Sequence, residues 1–295
     1  MRILLVTLGY IHKKNLNGFR AMCAHMGASL TETSSVGKDW YDEWDLVWIP
    51  IGPVSPTAFP KAKRLIFGPH NFVFPEPPWT QVRIEDPRVS YNCLSEWNKK
   101  VYQTLGGVSD FELVCLPYPV DTTTFAPKSI DAKTHDCFLY TKLRSTDDIL
   151  YAMKTLGQLG LSYKVIRYGS YTEPEYKDTL ETCRFGVWVG RHESQGFALQ
   201  EALSCDVPLV VWDVDSMGEE WDAGAAVYSG DKGALKATAV PYWDARCGVI
   251  VQRGSLKEGA RFMRNNWSIY RPREFVMENL SVGACADRWH KELPR

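Results

Sequence analysis

Residues 185–213 read FGVWVGRHESQGFALQEALSCDVPLVVWD, and the fold follows from this stretch. It parses as strand, polar loop, helix, turn and strand. Residues 186–189 and 208–212 are short β-rich runs, the second almost wholly apolar. Between them Phe197, Leu199, Ala202 and Leu203 supply the apolar positions of an amphipathic helix. Two strands joined by a crossover of this length form a parallel βαβ unit. Such units meet ligands at the carboxyl end of the first strand and at the start of the following helix. Glu193 falls in that loop, and Glu201 lies further on, inside the helix.

Outward from this unit, 295 residues with 45% hydrophobic content suit two α/β halves with sizeable cores. A formal net charge of -1 and the lack of a basic run disfavour nucleic acid or an anionic membrane as partner. The N-terminal MRILLVTLGY enters a strand pattern directly, without the pattern of a signal peptide. No stretch approaches the ~18 apolar residues of a membrane span. The eight cysteines stand singly, without CxxC spacing, and read as reduced, mostly buried thiols. The expected location is cytoplasmic, where the sequons at Asn266 and Asn279 go unused.

In chain order, residues 2–8 form a buried strand. A polar loop over 10–18 carries His12, Lys13, Lys14, Asn15 and Asn17, and a helix runs over 19–26. The loop is not GxGxxG, so no dinucleotide fingerprint is inferred. Strands follow at 45–51, 64–68 and 89–93, then a helix over 96–105 behind Ser95 as N-cap. His70 stands just past the strand 64–68, placed either to meet a ligand or to cap backbone. Residues 112–127, ELVCLPYPVDTTTFAP, hold prolines that break the ladder and mark an interdomain crossing. A fresh α/β pattern follows, with strands at 136–140 and 162–168 and helices at 146–159 and 175–181. Beyond Asp213, strands are expected at 223–228 and 247–252, a helix at 256–266, and terminal helices over 272–293.

Two carboxylates beside a helix start suit a sugar nucleotide. Unpaired N–H groups at the helix start take a diphosphate, Gly196 allows close approach, and the carboxylates take hydroxyls. A salt-bridged helix face is the alternative reading of the same residues.

The spacing Glu193-x7-Glu201, in the form ESQGFALQEA, resembles the Glu-x7-Glu motif of the GT4-type (group 1) retaining glycosyltransferases. LPYPVDTTTFAP is similar to that family's Pro-x-Gly-Val-Asp-x-x-x-Phe-x-Pro segment. The two motifs occur in the family's order and cover the C-terminal half; the N-terminal half matches only in general layout. The resemblance implies an α/β GT-B fold, two Rossmann-like domains facing across a cleft. Residues 1–118 would be the acceptor-side domain and 119–265 the donor-binding domain, with the helices of 266–295 crossing back.

Carried over, Glu201 would bind the donor's ribose and Glu193 the donor sugar. Ser194, Gln195, Gly196 and Phe197 would contact sugar and phosphate, with Gly169 near the base. The family's Gly-Arg-Leu segment and later lysine correspond here to residues 140–148. Lys142 takes the arginine's place, while Asp147 or Asp148 takes the lysine's, a departure that leaves Arg144 as substitute. His70 would match the histidine that faces the donor sugar. The implied activity moves a sugar from a UDP- or GDP-linked donor to a hydroxyl of a glycan or other acceptor, with no cofactor and no required metal. The alternatives are a non-catalytic carbohydrate-binding or assembly subunit and a sugar-nucleotide epimerase. Asp213-Val214-Asp215 also matches the Asp-x-Asp metal signature of the other glycosyltransferase fold, though it closes the βαβ unit already assigned.

Overall fold

The computed structural model describes residues 1–35, 37–51, 54–69, 85–105, 111–219 and 235–292. They belong to two compact units, Met1–Pro119 with Leu280–Arg295, and Val120–Asn279. The first holds β1 (Arg2–Val6), α1 (Lys13–His25), β2 (Ser29–Thr33), β3 (Leu46–Ile49), β4 (Leu65–Phe67), β5 (Val89–Cys93), α2 (Glu96–Leu105) and β6 (Glu112–Cys115). Its strands pair in parallel in the order β2-β1-β3-β4-β5-β6. The second holds β7 (His135–Thr141), α3 (Thr146–Gln158), β8 (Tyr163–Arg167), α4 (Glu173–Thr182), β9 (Cys183–Val189), α5 (Phe197–Ser204), β10 (Leu209–Trp212), β11 (Gly248–Val251), α6 (Leu256–Asn266) and α7 (Pro272–Leu280). Its parallel order is β11-β10-β9-β7-β8.

β7 lies between β8 and β9, so the strand order reverses there. An open α/β sheet has its ligand crevice beyond the carboxyl ends of the strands at such a reversal. The register sets Tyr140 beside Trp188 and Thr141 beside Val189, so the chain leaves both strands at one level, toward Lys142 and Glu193. One face of the sheet is covered by an apolar cluster that includes Leu139, Leu156, Val187, Val210 and Met263.

In the first unit, α1 begins well before the expected helix, inside the supposed loop. Its buried residues include Asn15, Gly18, Phe19 and Met22, spaced as one helical face. Two of these are not apolar, which hides the stripe in the sequence. Gly18 is needed for contact: a Cβ there would sit 2.9 Å from Cδ of Pro119. The strand β2, SLTET, was not foreseen. It pairs only with β1 at the sheet edge and is nowhere fully buried, so it lacks the apolar run that marks its neighbours.

The segment 266–295 is divided. α7 up to Asn279 belongs to the second unit, and the helix α8 (Val282–Lys291) to the first. α8 is held by Trp289, fully buried against Phe19 at 5.0 Å and Tyr118 at 5.7 Å between ring centroids. Phe19 in turn packs on Trp48 at 4.2 Å. The segment between the two sheets folds on itself: Asp121 accepts from the backbone N–H of Thr123 and Thr124, at 3.1 and 2.9 Å. Within the second unit the Phe125 carbonyl accepts from Ser204 Oγ at 2.6 Å and from the Arg273 guanidinium at 3.2 Å, which ties this segment to the end of α5. The strand expected at 223–228 lies outside the described residues.

Candidate functional site

The carboxyl ends of β7, β8 and β9 bring together residues far apart in sequence. Lys142 leaves β7 with its backbone N–H donated to the Val189 carbonyl at 3.1 Å. Its Nζ donates to Oε1 of Glu193 at 2.6 Å and sits 4.5 Å from the centre of the Tyr168 ring. The two side chains are only 9% and 12% exposed, so each charge depends on the other for compensation. Leu143, the next residue, has φ +50, a left-handed conformation unusual for a bulky residue. Such conformations persist where surrounding structure enforces them, often at functional sites.

Beyond this turn Arg144 is committed elsewhere. Its side chain is 1% exposed, donates to the Gly190 carbonyl at 3.2 Å and to Asp148 Oδ2 at 3.2 Å, and lies 4.6 Å from the Trp212 ring. Asp148 also accepts from Arg253 at 3.1 Å. The expected substitution of Arg144 for the missing lysine therefore meets a physical obstacle: the guanidinium is buried and paired with Asp148, one of the two acids that the resemblance sets at the lysine's position.

The loop after β9 places Glu193 by its backbone as well, since its N–H donates to the Thr238 carbonyl at 3.0 Å. Ser194 is half-buried and Gln195 buried, the latter donating from Nε2 to Gln200 Oε1 at 3.3 Å. Gln200 returns a short hydrogen bond to the Gln195 carbonyl. These bonds close the loop onto the start of α5. Gly196 is its N-cap at φ +87, a conformation in which a Cβ would stand 3.3 Å from Cβ of Glu193. Phe197 begins the helix and is half-buried.

Glu201 sits inside α5 and is 4% exposed. Both glutamates act on Tyr171 and Tyr176, and Glu193 also on Tyr140. Burial, then Glu201 and Glu193, push the Tyr171 phenol up. Burial, then Glu193, does the same to Tyr140. The phenols therefore stay protonated and able to donate. Tyr140 stacks on Trp188 at 3.7 Å, and Tyr176 donates to the Ala198 carbonyl at 2.6 Å, pinning the first turn of α5. Gly169 lies in an exposed turn past β8 at φ +76, next to Tyr168.

Sequence reading missed several members of this assembly. His192 is 4% exposed and kept neutral, its imidazole pushed well below the usual range by burial and then by Arg191 and Lys142. Tyr168, Tyr171 and Thr238 carry no motif that would mark them. His70 lies outside the described residues. Asp213 is taken up by the protein itself: it accepts from Thr238 Oγ1 at 2.8 Å and from the N–H groups of Ala239 at 2.5 Å and Val214 at 2.9 Å. Asp215 accepts from Gln252 Nε2 at 3.2 Å. Among the described residues no group of three or more His, Cys, Asp or Glu is arranged to hold a metal ion.

No protein-family model matches the sequence, and no curated protein matches it. Solved structures do match in fold. The catalytic domain of starch synthase IV from Arabidopsis thaliana superposes with a TM-score of 0.60 at 8% identity, covering 99% of this chain and 98% of that one. The lipopolysaccharide outer core galactosyltransferase WaaB gives 0.53 at 11% identity, with 99% of both chains covered. TarM from S. aureus gives 0.54 at 13% identity, over 86% of this chain; the chain spans 57% of the length of TarM. At these identities the likeness concerns the fold: two parallel-sheet α/β units of the GT-B glycosyltransferase class.

Proposed function

We propose that the chain is a retaining, GT4-type glycosyltransferase that moves a sugar from a nucleoside diphosphate donor, UDP- or GDP-linked, to a hydroxyl of a glycan or other acceptor. The observation that carries this reading is the cluster at the β7/β9 reversal. Lys142, Glu193 and the left-handed Gly196 meet there at the start of α5, and the buried Glu201 stands further along the same helix. TarM was solved with UDP, and starch synthase IV with ADP and acarbose; their fold likeness supports the same ligand class for this chain.

In this reading Glu201 binds the donor's ribose and Glu193 a hydroxyl of its sugar. Departure of the nucleoside diphosphate builds negative charge. Lys142 and the first-turn N–H groups of α5 are the fixed positive groups that stabilise it. An ammonium has three donors, so Lys142 can hold Glu193 and a phosphate oxygen together. Arg144 and Asp148 then support the turn that aims Lys142 and do not themselves touch the donor. The site needs no metal for this division of labour, and Asp213 has no role as a ligand in it. Eight free thiols support a reducing, cytoplasmic setting, and among the described residues no helix is long and apolar enough to cross a membrane.

Hydrolysis and transfer assays with UDP-, GDP- and ADP-sugars, with and without EDTA, test the proposal. Turnover that persists in EDTA and is lost in Glu201→Ala is the expected result. Complete loss on chelation would overturn the metal-free mechanism. A second reading, a carbohydrate-binding or assembly subunit, is favoured by one observation: Arg144, the expected substitute for the family's phosphate-facing lysine, is taken up by Asp148, which also pairs with Arg253. Sugar binding without turnover of any donor would select it.

A further inference from the structure

Asp213 ends β10 in a pattern that resembles a metal motif, yet its carboxylate is occupied by the protein. Oδ1 accepts from the N–H of Ala239 at 2.5 Å and of Val214 at 2.9 Å, and Oδ2 accepts from Thr238 Oγ1 at 2.8 Å. The same Thr238 accepts at its carbonyl from the N–H of Glu193, at 3.0 Å. Its neighbour Ala239 lies against the other ligand-facing position, its carbonyl 3.9 Å from where a Cβ on Gly196 would be.

The segment holding these two residues is a strip of backbone. Its near end is tied to the chain after β10, through Met217 N–H to the Leu235 carbonyl at 2.9 Å and Ala237 N–H to the Asp215 carbonyl at 3.2 Å. Its far end is held by Asp213. Two hydrogen bonds to one side chain, from Thr238 Oγ1 and from the Ala239 N–H, thus fix this part of the strip against the end of β10.

We propose that Asp213 is a positioning residue for the donor site, acting through Thr238 on the backbone of Glu193 and so on the aim of the Glu193 carboxylate toward the donor sugar. The link to sugar transfer rests on the proposed function; the mechanical link from Asp213 to Glu193 does not. Glu201 lies within α5, beyond its Gly196 N-cap, so loss of the Asp213 contacts should disturb sugar placement more than nucleotide binding.

The test compares wild type, Asp213→Ala, Asp213→Asn and Thr238→Val. Amide hydrogen exchange at Glu193 is the first readout. Hydrolysis of whichever of UDP-glucose, GDP-mannose or ADP-glucose the wild type accepts is the second, with UDP and GDP affinity as the third. In Asp213→Ala the Glu193 amide should exchange roughly 10-fold faster or more, and kcat should fall about 10- to 100-fold. Nucleotide affinity should stay within about threefold of wild type, since the groups proposed to hold the nucleotide are untouched. Asn can accept from Ala239 with its carbonyl and donate to Thr238 Oγ1 with its amide, so Asp213→Asn should restore both values to near wild type.

Unchanged Glu193 exchange and unchanged kcat in Asp213→Ala would overturn the proposal. So would an Asp213→Asn protein as impaired as Asp213→Ala, which would show that the negative charge itself is required. If Asp213→Ala does not fold, Thr238→Val removes one of the same bonds, and unaltered exchange there overturns the link equally. A wild type that hydrolyses no nucleotide sugar would overturn the proposed function, and the exchange readout alone would then decide the role of Asp213.

Discussion

Nζ of Lys142 and Oε1 of Glu193 lie 2.6 Å apart at the ends of neighbouring strands, with both side chains nearly removed from solvent. A cation and an anion so placed form the unit on which the proposed donor site is built. Removing either member leaves the other charged and poorly solvated.

Lys142→Met should cost about 2–4 kcal/mol of folding stability, below the full penalty for a completely buried pair. It should lower donor turnover roughly 100-fold, as one lost electrostatic contact to a leaving group does. Glu193→Gln should lower turnover while leaving UDP or GDP affinity unchanged or improved, because Lys142 is released toward the phosphates. Calorimetric titration separates the two effects, and a tenfold weakening of nucleotide binding in Glu193→Gln would contradict the assignment of Glu193 to the sugar.

Glu201→Gln keeps the shape of the buried side chain and removes its charge. Nucleotide affinity should weaken about 10-fold or more, the usual loss when a charged hydrogen-bond acceptor becomes neutral. The rise in Tm produced by saturating nucleotide should shrink in proportion to the lost affinity, which a thermal-shift titration reads directly.

Gly196 and Gly169 both hold left-handed backbone, at φ +87 and +76, but in different surroundings. Alanine at either should cost about 1–2 kcal/mol from conformation alone. At Gly196 the new Cβ also meets Cβ of Glu193 at 3.3 Å, whereas at Gly169 nothing lies within 4 Å. Turnover should therefore drop in Gly196→Ala and persist in Gly169→Ala. Denaturant titration alongside the donor assay tests the pair.

His192 gives a stability signature in acid. Its folded imidazole titrates well below the usual range because it is buried beside Arg191 and Lys142. The unfolded chain binds the proton first, so stability is complete above about pH 6.5 and falls as pH drops below it, by up to about 1.4 kcal/mol per pH unit. His192→Gln cannot bind that proton. The difference in Tm between wild type and His192→Gln should change between pH 7 and pH 5 in favour of the variant; a constant difference would contradict the buried neutral histidine.

Much of the sheet architecture was legible because parallel strands are buried on both faces and read as unbroken apolar runs, as in LVWI, LIF and LVVW. β2 was not, since an edge strand with half-covered faces carries no such run. The start of α1 was hidden because its buried face uses Asn15 and Gly18 where apolar residues are expected. In the candidate site, Glu193, Gly196 and Glu201 stand out because a strand end, a glycine and a helix follow one another within a dozen residues. The partners of these residues do not. Lys142 is 51 residues from Glu193, and Thr238 is 25 from Asp213. Only the strand order, which periodicity does not encode, makes such pairs neighbours. For the same reason Asp213 looked like a possible metal ligand in the sequence, where its protein donors could not be seen.

Trp289 completes an aromatic cluster with Phe19, Trp48 and Tyr118, yet it follows the whole second unit in sequence. During synthesis from the N-terminus, the first sheet must therefore wait with the Trp48 side of that cluster uncovered while residues 120–279 emerge and fold. The N-terminal unit is thus the last to receive all of its sequence, although its first strand is the first to be made.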